Sequence, residues 1–343
     1  MSNKSIIIKY LDSAKMQELL SHWGLEDYVA SLHPRHEKHH NLIYYITKND
    51  VEYVLRITYR SDRSPELLNS EFDFINYLKM SQISVAYPIK TKTNSNMVSD
   101  NTESLDIICT LFYRAPGKHM PKNKHQYQRG ITANEYFFNM GKTMGALHRL
   151  ATHYTPNVKI KKRYDLMANY ENELIEKYIP ENLTKVKRVF HSLLAETQKL
   201  PRDNKSFGLI HSEIIDSNFL VNSETGKLTL IDFDDLSYSW FMYDIANIWS
   251  RGFLWIKNEV TPADKKARFT DRFEKIKSGY STEHNISNYW YSKLDFFLQL
   301  VEMKELLTIF QKASLNGTEV IYNEELNKRI EAIETGRSYI MFS

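Results

Sequence analysis

Two short apolar runs, each ending in acidic or amide side chains, constrain this sequence more than any other feature. The first, Leu209-Ile210, leads into His211-Ser212-Glu213-Ile214-Ile215-Asp216-Ser217-Asn218 and resumes as Phe219-Leu220-Val221. The second, Leu230-Ile231, ends on Asp232-Phe233-Asp234-Asp235. Apolar runs this short, bounded by polar residues, are strand patterns. A strand, a tight loop and a returning strand, followed by a strand that stops on a carboxylate, bring Glu213, Asn218 and Asp232 to one mouth. Phosphoryl transfer needs one carboxylate to orient a hydroxyl and accept its proton, and an amide and a second carboxylate for the metal on a triphosphate.

The segment resembles the catalytic region of the aminoglycoside phosphotransferase and choline kinase superfamily, whose core reads H-G-D-x-x-x-x-N followed by I-D-F/W-x-D. Here it reads H-S-E-x-x-x-x-N. Matched by position, the resemblance implies that His211 braces the loop and that Glu213 stands for the catalytic aspartate. It makes Asn218 and Asp232 the metal ligands and puts Ser212 in place of the glycine. Tyr243-Asp244-Ile245-Ala246 resembles the family's D-L-A element, which makes Asp244 a structural support. Gly141 to His148 resembles its G-x-x-L-A-x-L-H helix, and Ser278-Gly279-Tyr280 with the stretch 294–307 resembles its type II homoserine kinase-like members. The implied fold is α+β and two-lobed, protein kinase-like, with a small antiparallel β lobe carrying a helix and a larger, mainly α lobe. The expected division is 1–112 for the nucleotide-binding lobe and 113–343 for the catalytic and substrate-binding lobe.

The first third fits that expectation. Residues 41–47 and 51–58 are β-rich and separated by Lys48-Asn49-Asp50, a good short turn. In the second run Val51, Tyr53, Leu55 and Ile57 share one face, leaving Val54 and Arg56 together on the other. In a kinase-like lobe that face turns toward nucleotide, with Val54 over the base and Arg56 in the place of the lysine that reaches the phosphates. An arginine fork suits phosphate oxygens, although it is not a neutral replacement for lysine; a solvent-facing arginine on a two-sided strand also fits the pattern. A helix over 66–79 follows Ser64-Pro65, with Leu68, Phe72 and Ile75 on one stripe. Glu71 borders that stripe and would pair with Arg56, or else be an ordinary solvated helix residue. Residues 85–89 and the run ending at Phe112 read as strands, with a polar loop over 90–103 between them. The hinge is expected at 113–117, with backbone groups of Thr110, Leu111, Phe112 and Tyr113 meeting an adenine edge.

Beyond residue 132 helical spacing dominates, over 137–150, 166–178, 183–199, 264–276 and 290–313. The chain of 343 residues is long enough for two domains. Its net charge of +3 is too small to make nucleic acid or an anionic membrane the main partner. The single cysteine, Cys109, lies in an apolar run and reads as core. With no signal peptide and no membrane-length apolar stretch in the sequence, the expected location is the cytoplasm.

Competing motifs are weaker. Gly141-Lys142-Thr143 lacks the P-loop's earlier glycine, since Tyr136 stands there, and sits in a helical pattern. The tract containing His36, His39 and His40 has no cysteine partners and reads as a polar loop. No glycine occurs between Gly24 and Gly117, so the glycine-rich phosphate loop of protein kinases is missing. The implied cofactors are ATP, with GTP open, and Mg²⁺. The implied partner is a small hydroxyl compound, with an aminoglycoside, an amino alcohol and a hydroxy amino acid all open and a cationic compound among the options. Glu171, Glu173, Asp295 and Glu302, with Tyr170, Tyr289, Trp290 and Tyr291, are candidates for binding it, and each also fits an ordinary helix surface. The expectation is an active small-molecule kinase; the alternative is a degenerate nucleotide-binding relative, because glutamate moves the reacting carboxylate by about 1.5 Å.

Overall fold

The computed structural model describes residues 3–34, 36, 41–59, 63–101, 106–120, 133–168, 172–252 and 261–339. In chain order the first elements are α1 (Asn3–Tyr10), α2 (Ser13–Ser21), β1 (Val29–Leu32), β2 (Leu42–Lys48), β3 (Val51–Thr58), α3 (Pro65–Met80), β4 (Val98–Asn101) and β5 (Asp106–Tyr113). Then come α4 (Ala133–Ala151), α5 (Asn172–Tyr178), α6 (Thr184–Thr197), β6 (Phe207–Ile210), β7 (Phe219–Val221), β8 (Leu228–Leu230) and β9 (Ser237–Trp240). The chain closes with α7 (Phe241–Gly252), α8 (Pro262–Ser281), α9 (Asn288–Tyr291), α10 (Leu294–Asn316) and α11 (Glu324–Glu334). These fall into two compact units. One comprises 1–116 with 155–162 and 229–234, and the other comprises 117–154, 163–228 and 235–343.

The first unit is built on a five-stranded antiparallel sheet of order β1-β2-β3-β5-β4. Asn49, with φ of 54°, makes the tight β2–β3 turn. Alternation then decides which layer each side chain joins. Leu42, Tyr44 and Ile46 line up with Leu55 and Ile57, and these with Leu111 and Cys109. This face is sealed by Ile7 of α1, Leu11 of the following turn, and Met16, Leu19 and Leu20 of α2. Asp12 starts α2 by accepting the Lys15 N–H at 2.8 Å. The opposite face carries Val54, Arg56 and Thr58, beside Phe112, Thr110 and Ile108. Here α3 packs, begun by Ser64 as N-cap and Pro65 in its first turn.

Several elements differ from the sequence expectations. The N-terminal helices α1 and α2 and strand β1 carry weak local patterns and take their order from the sheet they cover. The polar stretch 90–103 contains β4, which adds an edge to β5. Residues 85–89 form isolated bridges, Val85 with Leu230 and Pro88 with Phe112, instead of a strand. The helix expected over 166–178 is reduced to α5; before it, the Leu166 N–H is given to Tyr238 O at 2.9 Å, which suits a turn and not a helix start. The stretch 290–313 divides into α9 and α10.

The second unit is mainly helical. Trp240 lies against Phe207 and Phe297, and Trp249 is edge-on to both Phe269 and Phe273 at 4.4 Å. Helices α4 and α8 come together through glycines. A Cβ at Gly141 would lie 1.8 Å from Ile276 O, and one at Gly279 would lie 1.8 Å from Phe138 O. Both sides of the crossing therefore require a missing side chain. Among the described residues no helix is long and apolar enough to cross a membrane. We expect Gly141→Ala or Gly279→Ala to lower the unfolding free energy by at least about 1–3 kcal/mol, the usual cost of overpacking. Urea denaturation measures this, and an unchanged midpoint would mean that the crossing tolerates a methyl group.

Candidate active site

The second unit holds the catalytic loop. Strand β6 pairs antiparallel with β9 and delivers His211 and Ser212, both buried, to its end. Ser212 has φ of 66°, the left-handed region in which a glycine would be unstrained. Its side chain compensates through a hydrogen bond with the Ser237 hydroxyl. The loop is gripped from below by Asp244, on the first turn of α7. Its Oδ2 accepts the His211 N–H and its Oδ1 accepts the Ser212 N–H, each at 2.9 Å. The grip extends to α4 and α8: His148 Nε2–H donates to Asp244 Oδ2 at 3.2 Å, and His148 Nδ1 lies 2.9 Å from the Tyr280 hydroxyl. His148 also stacks on Phe241 at 4.5 Å. Burial raises the Tyr280 phenol well above its ordinary value, so it remains a neutral hydroxyl.

Beyond the grip the loop turns through a short 3-10 segment, Asp216–Asn218. Asn218 Nδ2–H donates to Glu213 O at 2.8 Å, which fixes its amide and leaves Oδ1 as the acceptor end. Tyr136 of α4 donates to Asp216 and secures the middle of the loop. Glu213 itself is half-buried. Burial first, and the neighbouring Asp235 second, raise its carboxyl above the ordinary value of 4.5, while Lys304 and Arg251 oppose the rise. Lys304, which sequence reasoning missed, reaches Ser212 O and Asp235 Oδ2, both at 3.4 Å.

The first unit holds Arg56, Glu71, Asp232 and Asp234. Arg56 and Glu71 form a two-pronged buried pair, Nη1 to Oε1 at 2.8 Å and Nη2 to Oε2 at 3.0 Å. The guanidinium lies 4.9 Å from the Phe112 ring centre. Burial works against its charge, but Glu71, Asp234 and Asp232 more than offset that and hold it protonated. Of the two alternatives for Glu71, the paired one is what the fold contains. Asp232, with φ of 66°, is exposed, whereas Asp234 is buried. Asp234 accepts from Arg63 Nε at 3.1 Å and from Asn41 Nδ2 at 3.4 Å. No local signal marks Arg63, because its partner lies far along the sequence.

Thr110, Leu111, Phe112 and Tyr113 all lie on β5. Leu111 turns its side chain to the α1–α2 core, not to the face of Val54, Arg56, Thr110 and Phe112. Leu111 O accepts from Ile89 N at 2.7 Å, and the Tyr113 N–H is given to Tyr87 O at 3.2 Å, both in the 85–89 stretch beside β5. Among the substrate candidates, Glu302 is buried and gripped by Arg329 at 2.7 and 2.8 Å, Trp290 is core, and Asp295 accepts from Ser338. Tyr170, Glu171, His39 and His40 lie outside the described residues. No cluster of three or more His, Cys, Asp or Glu that could hold a metal occurs among the described residues.

Two predictions follow from these charges. Arg63→Met removes the cation from a buried carboxylate and should cost about 3–5 kcal/mol of stability, part of which Asp234→Asn should recover. A double variant no more stable than the single one would mean that the pair is not coupled. The raised carboxyl of Glu213 binds its proton more tightly folded than unfolded, so its stabilising contribution is complete below the unfolded value and is lost as pH rises through the folded one. Glu213→Gln should therefore melt higher than the wild type at about pH 8 and lose that advantage toward about pH 4. Thermal unfolding at the two pH values is the check, and an equal difference at both would contradict it.

Comparison with known proteins places the chain. Residues 31–274 match the APH phosphotransferase enzyme family. The amicoumacin kinase of Bacillus subtilis (strain 168) is 28% identical over 302 residues, which cover 82% of this chain and 86% of that one. The solved structure of an amicoumacin kinase in complex with AMP-PNP, Ca²⁺ and Ami superposes with a TM-score of 0.79 at 22% identity, covering 97% of this chain and 96% of that one. A microcompartment-associated aminopropanol kinase superposes with a TM-score of 0.70 at 17% identity, covering 95% of each chain. At those identities the structures speak for the fold, which is the α+β protein kinase-like one. The chain belongs to the APH phosphotransferase enzyme family, and it is a small-molecule phosphotransferase.

Proposed function

We propose that this enzyme moves the γ-phosphoryl group of ATP to a hydroxyl of amicoumacin or a compound like it, with Glu213 as the residue that orients the acceptor. The observation that carries the reading is the catalytic loop: Asp244 fixes the backbone on either side of the His211–Ser212 peptide, and Asn218 is locked to the Glu213 carbonyl. That loop is positioned without help from substrate, as expected where catalysis is mostly placement and charge stabilisation. The substrate class rests on the amicoumacin kinases to which the chain is similar over most of its length.

The donor set suits a hard divalent cation. Asn218 offers an amide oxygen and Asp232 an exposed carboxylate, and oxygen ligands of this kind, completed by phosphate, are what Mg²⁺ prefers. Asn218 and Asp232 would hold the ion, which supplies charge neutralisation on the phosphates when bound. The protein's own residues do the rest. Arg56, held in aim by Glu71, steadies the phosphates, and Val54 with Phe112 lines the side of the base. Glu213 accepts the proton as the acceptor oxygen attacks, and its raised affinity for that proton suits a group that must take one up. His211 stays a buried brace of the loop. We place the enzyme in the cytoplasm, where ATP is available, and take 1–112 and 113–343 as its functional lobes.

Incubation of the purified protein with ATP, Mg²⁺ and amicoumacin, followed by mass spectrometry, should give the singly phosphorylated product. Asp232→Asn should abolish it. Glu213→Asp should slow it by about 100-fold if the acceptor is placed for the longer side chain. Phosphorylation that persists in Asp232→Asn, or a Glu213→Asp variant faster than the wild type, would defeat these roles.

A further inference from the structure

A buried side-chain amide needs a hydrogen-bond partner, and the partner it has can tell what it is for. Asn247 is buried on α7, three residues beyond Asp244, so the two side chains leave the same face of the helix. Its Nδ2–H donates to Ser212 O at 3.1 Å. Only the nitrogen end of the amide can face that oxygen, since a carbonyl accepts and has no hydrogen to give. Ser212 is thereby held at every polar atom. Its N–H is taken by Asp244 Oδ1 at 2.9 Å, its carbonyl by Asn247 with a longer contact from Lys304 Nζ at 3.4 Å, and its hydroxyl by Ser237. The residue that receives all these bonds has φ of 66°, where a side chain is strained and a glycine, as the resembling family carries at this position, is not.

The two bonds from α7 act on opposite sides of the Ser212 Cα. Asp244 fixes the peptide that enters the residue, and Asn247 fixes the peptide that leaves it. Because a peptide unit is planar, holding the Ser212 carbonyl also orients the Glu213 N–H and Cα. On the far side the Glu213 carbonyl accepts from Asn218 Nδ2 at 2.8 Å. The backbone of Glu213 is therefore held at both ends, and only its side-chain torsions are left to choose. With the Ser212 carbonyl released, the serine would relax toward the ordinary regions of φ, the 212–213 peptide would rotate, and the Glu213 carboxylate would move with it.

We infer that Asn247 is a positioning residue for phosphoryl transfer: with Asp244 it holds Ser212 in the left-handed turn that aims Glu213, a restraint that a glycine at this position would make unnecessary. This rests on Glu213 being the residue that orients the acceptor.

The test is a set of double-mutant cycles on the intact enzyme, read as kcat and KM for ATP, with the ¹³Cα and carbonyl NMR shifts of Ser212 reporting its backbone. Those signals come from serine-labelled protein and are assigned by their loss in Ser212→Gly. Asn247→Ala should lower kcat by about tenfold, roughly the effect of one buried hydrogen bond, with KM for ATP little changed. Asn247→Asp, of the same shape but without the donor, should lower it further, because it sets an oxygen against the Ser212 carbonyl; a side chain that only filled space would rank the two variants the other way. In the Ser212→Gly background the loss caused by Asn247→Ala should shrink to about twofold or less. Ser237→Ala should slow the wild type and leave Ser212→Gly unaffected, and it reads the same restraint if the Asn247 variants do not fold. A loss of equal size in both backgrounds, or one that falls on KM alone, would overturn the inference. The NMR shifts separate it from the reading of Glu213. If they move in Asn247→Ala while the rate of acceptor phosphorylation does not, Glu213 is not the orienting residue, and the positioning role falls with it. If the rate falls while the shifts stay in place, Glu213 keeps its role and the inference about Asn247 is wrong.

Discussion

A single carboxylate with two backbone hydrogen bonds sets the geometry on which the catalytic loop depends. Asp244 accepts from consecutive amides, His211 and Ser212, and so fixes the peptide between them in both position and orientation. An amide N–H bonded to an ionised carboxylate is among the stronger hydrogen bonds available to a backbone. It has something to offset, because Ser212 occupies the left-handed region at a cost of about 1–2 kcal/mol relative to a glycine. The direction in which Glu213 leaves the backbone follows from that turn. Asp244 is itself tied through His148 to Tyr280, so the placement of the loop is linked to the glycine crossing of α4 and α8. The glycines far from the chemistry and the carboxylate close to it belong to one chain of contacts.

The sheet unit solves a different problem, that of placing cations on a buried face. Arg56 and Arg63 each pair with a carboxylate, Glu71 and Asp234, and both pairs are nearly sealed from solvent. Buried ion pairs are poor sources of net stability, since desolvation takes back most of the attraction. Their use here is directional. The two-pronged contact with Glu71 fixes the orientation of the Arg56 guanidinium, 4.9 Å from the Phe112 ring centre, as a lysine ammonium's point charge would not. Arg63 and Asn41 likewise settle Asp234, two residues beyond the exposed Asp232. Of those two aspartates one is buried and the other exposed.

What could be read from the sequence follows the range of the interactions involved. The H-S-E loop, the β2–β3 hairpin and α3 are encoded locally, by short apolar runs, a turn residue able to take positive φ, and a Ser-Pro start. The Arg56–Glu71 pairing is implied by the family resemblance alone, since placing strand and helix leaves a solvated Glu71 equally open. By contrast α1, α2, β1 and β4 carry little pattern of their own and exist because the sheet offers them an apolar face or an edge. Arg63 and Lys304 were invisible for a related reason: an isolated cation acquires meaning only from a partner 171 or 69 residues away. Glu302 was misread in the opposite direction. On a helical wheel it is one more acidic residue, and only the packing of α11 turns it into the buried partner of Arg329.

Glu213, where the resembling family carries aspartate, acquires a physical reading from its surroundings. A site that had lost its chemistry would be free to lose the charges around it, since a half-buried carboxylate beside another carboxylate is a liability to the fold. Here the liability is kept and countered. Glu213 retains its ionisable group, Asp235 stands next to it, and two cations from α7 and α10 are set against the pair. Local instability offset by specific partners is what is expected where a fold is shaped by reactivity as well as by packing.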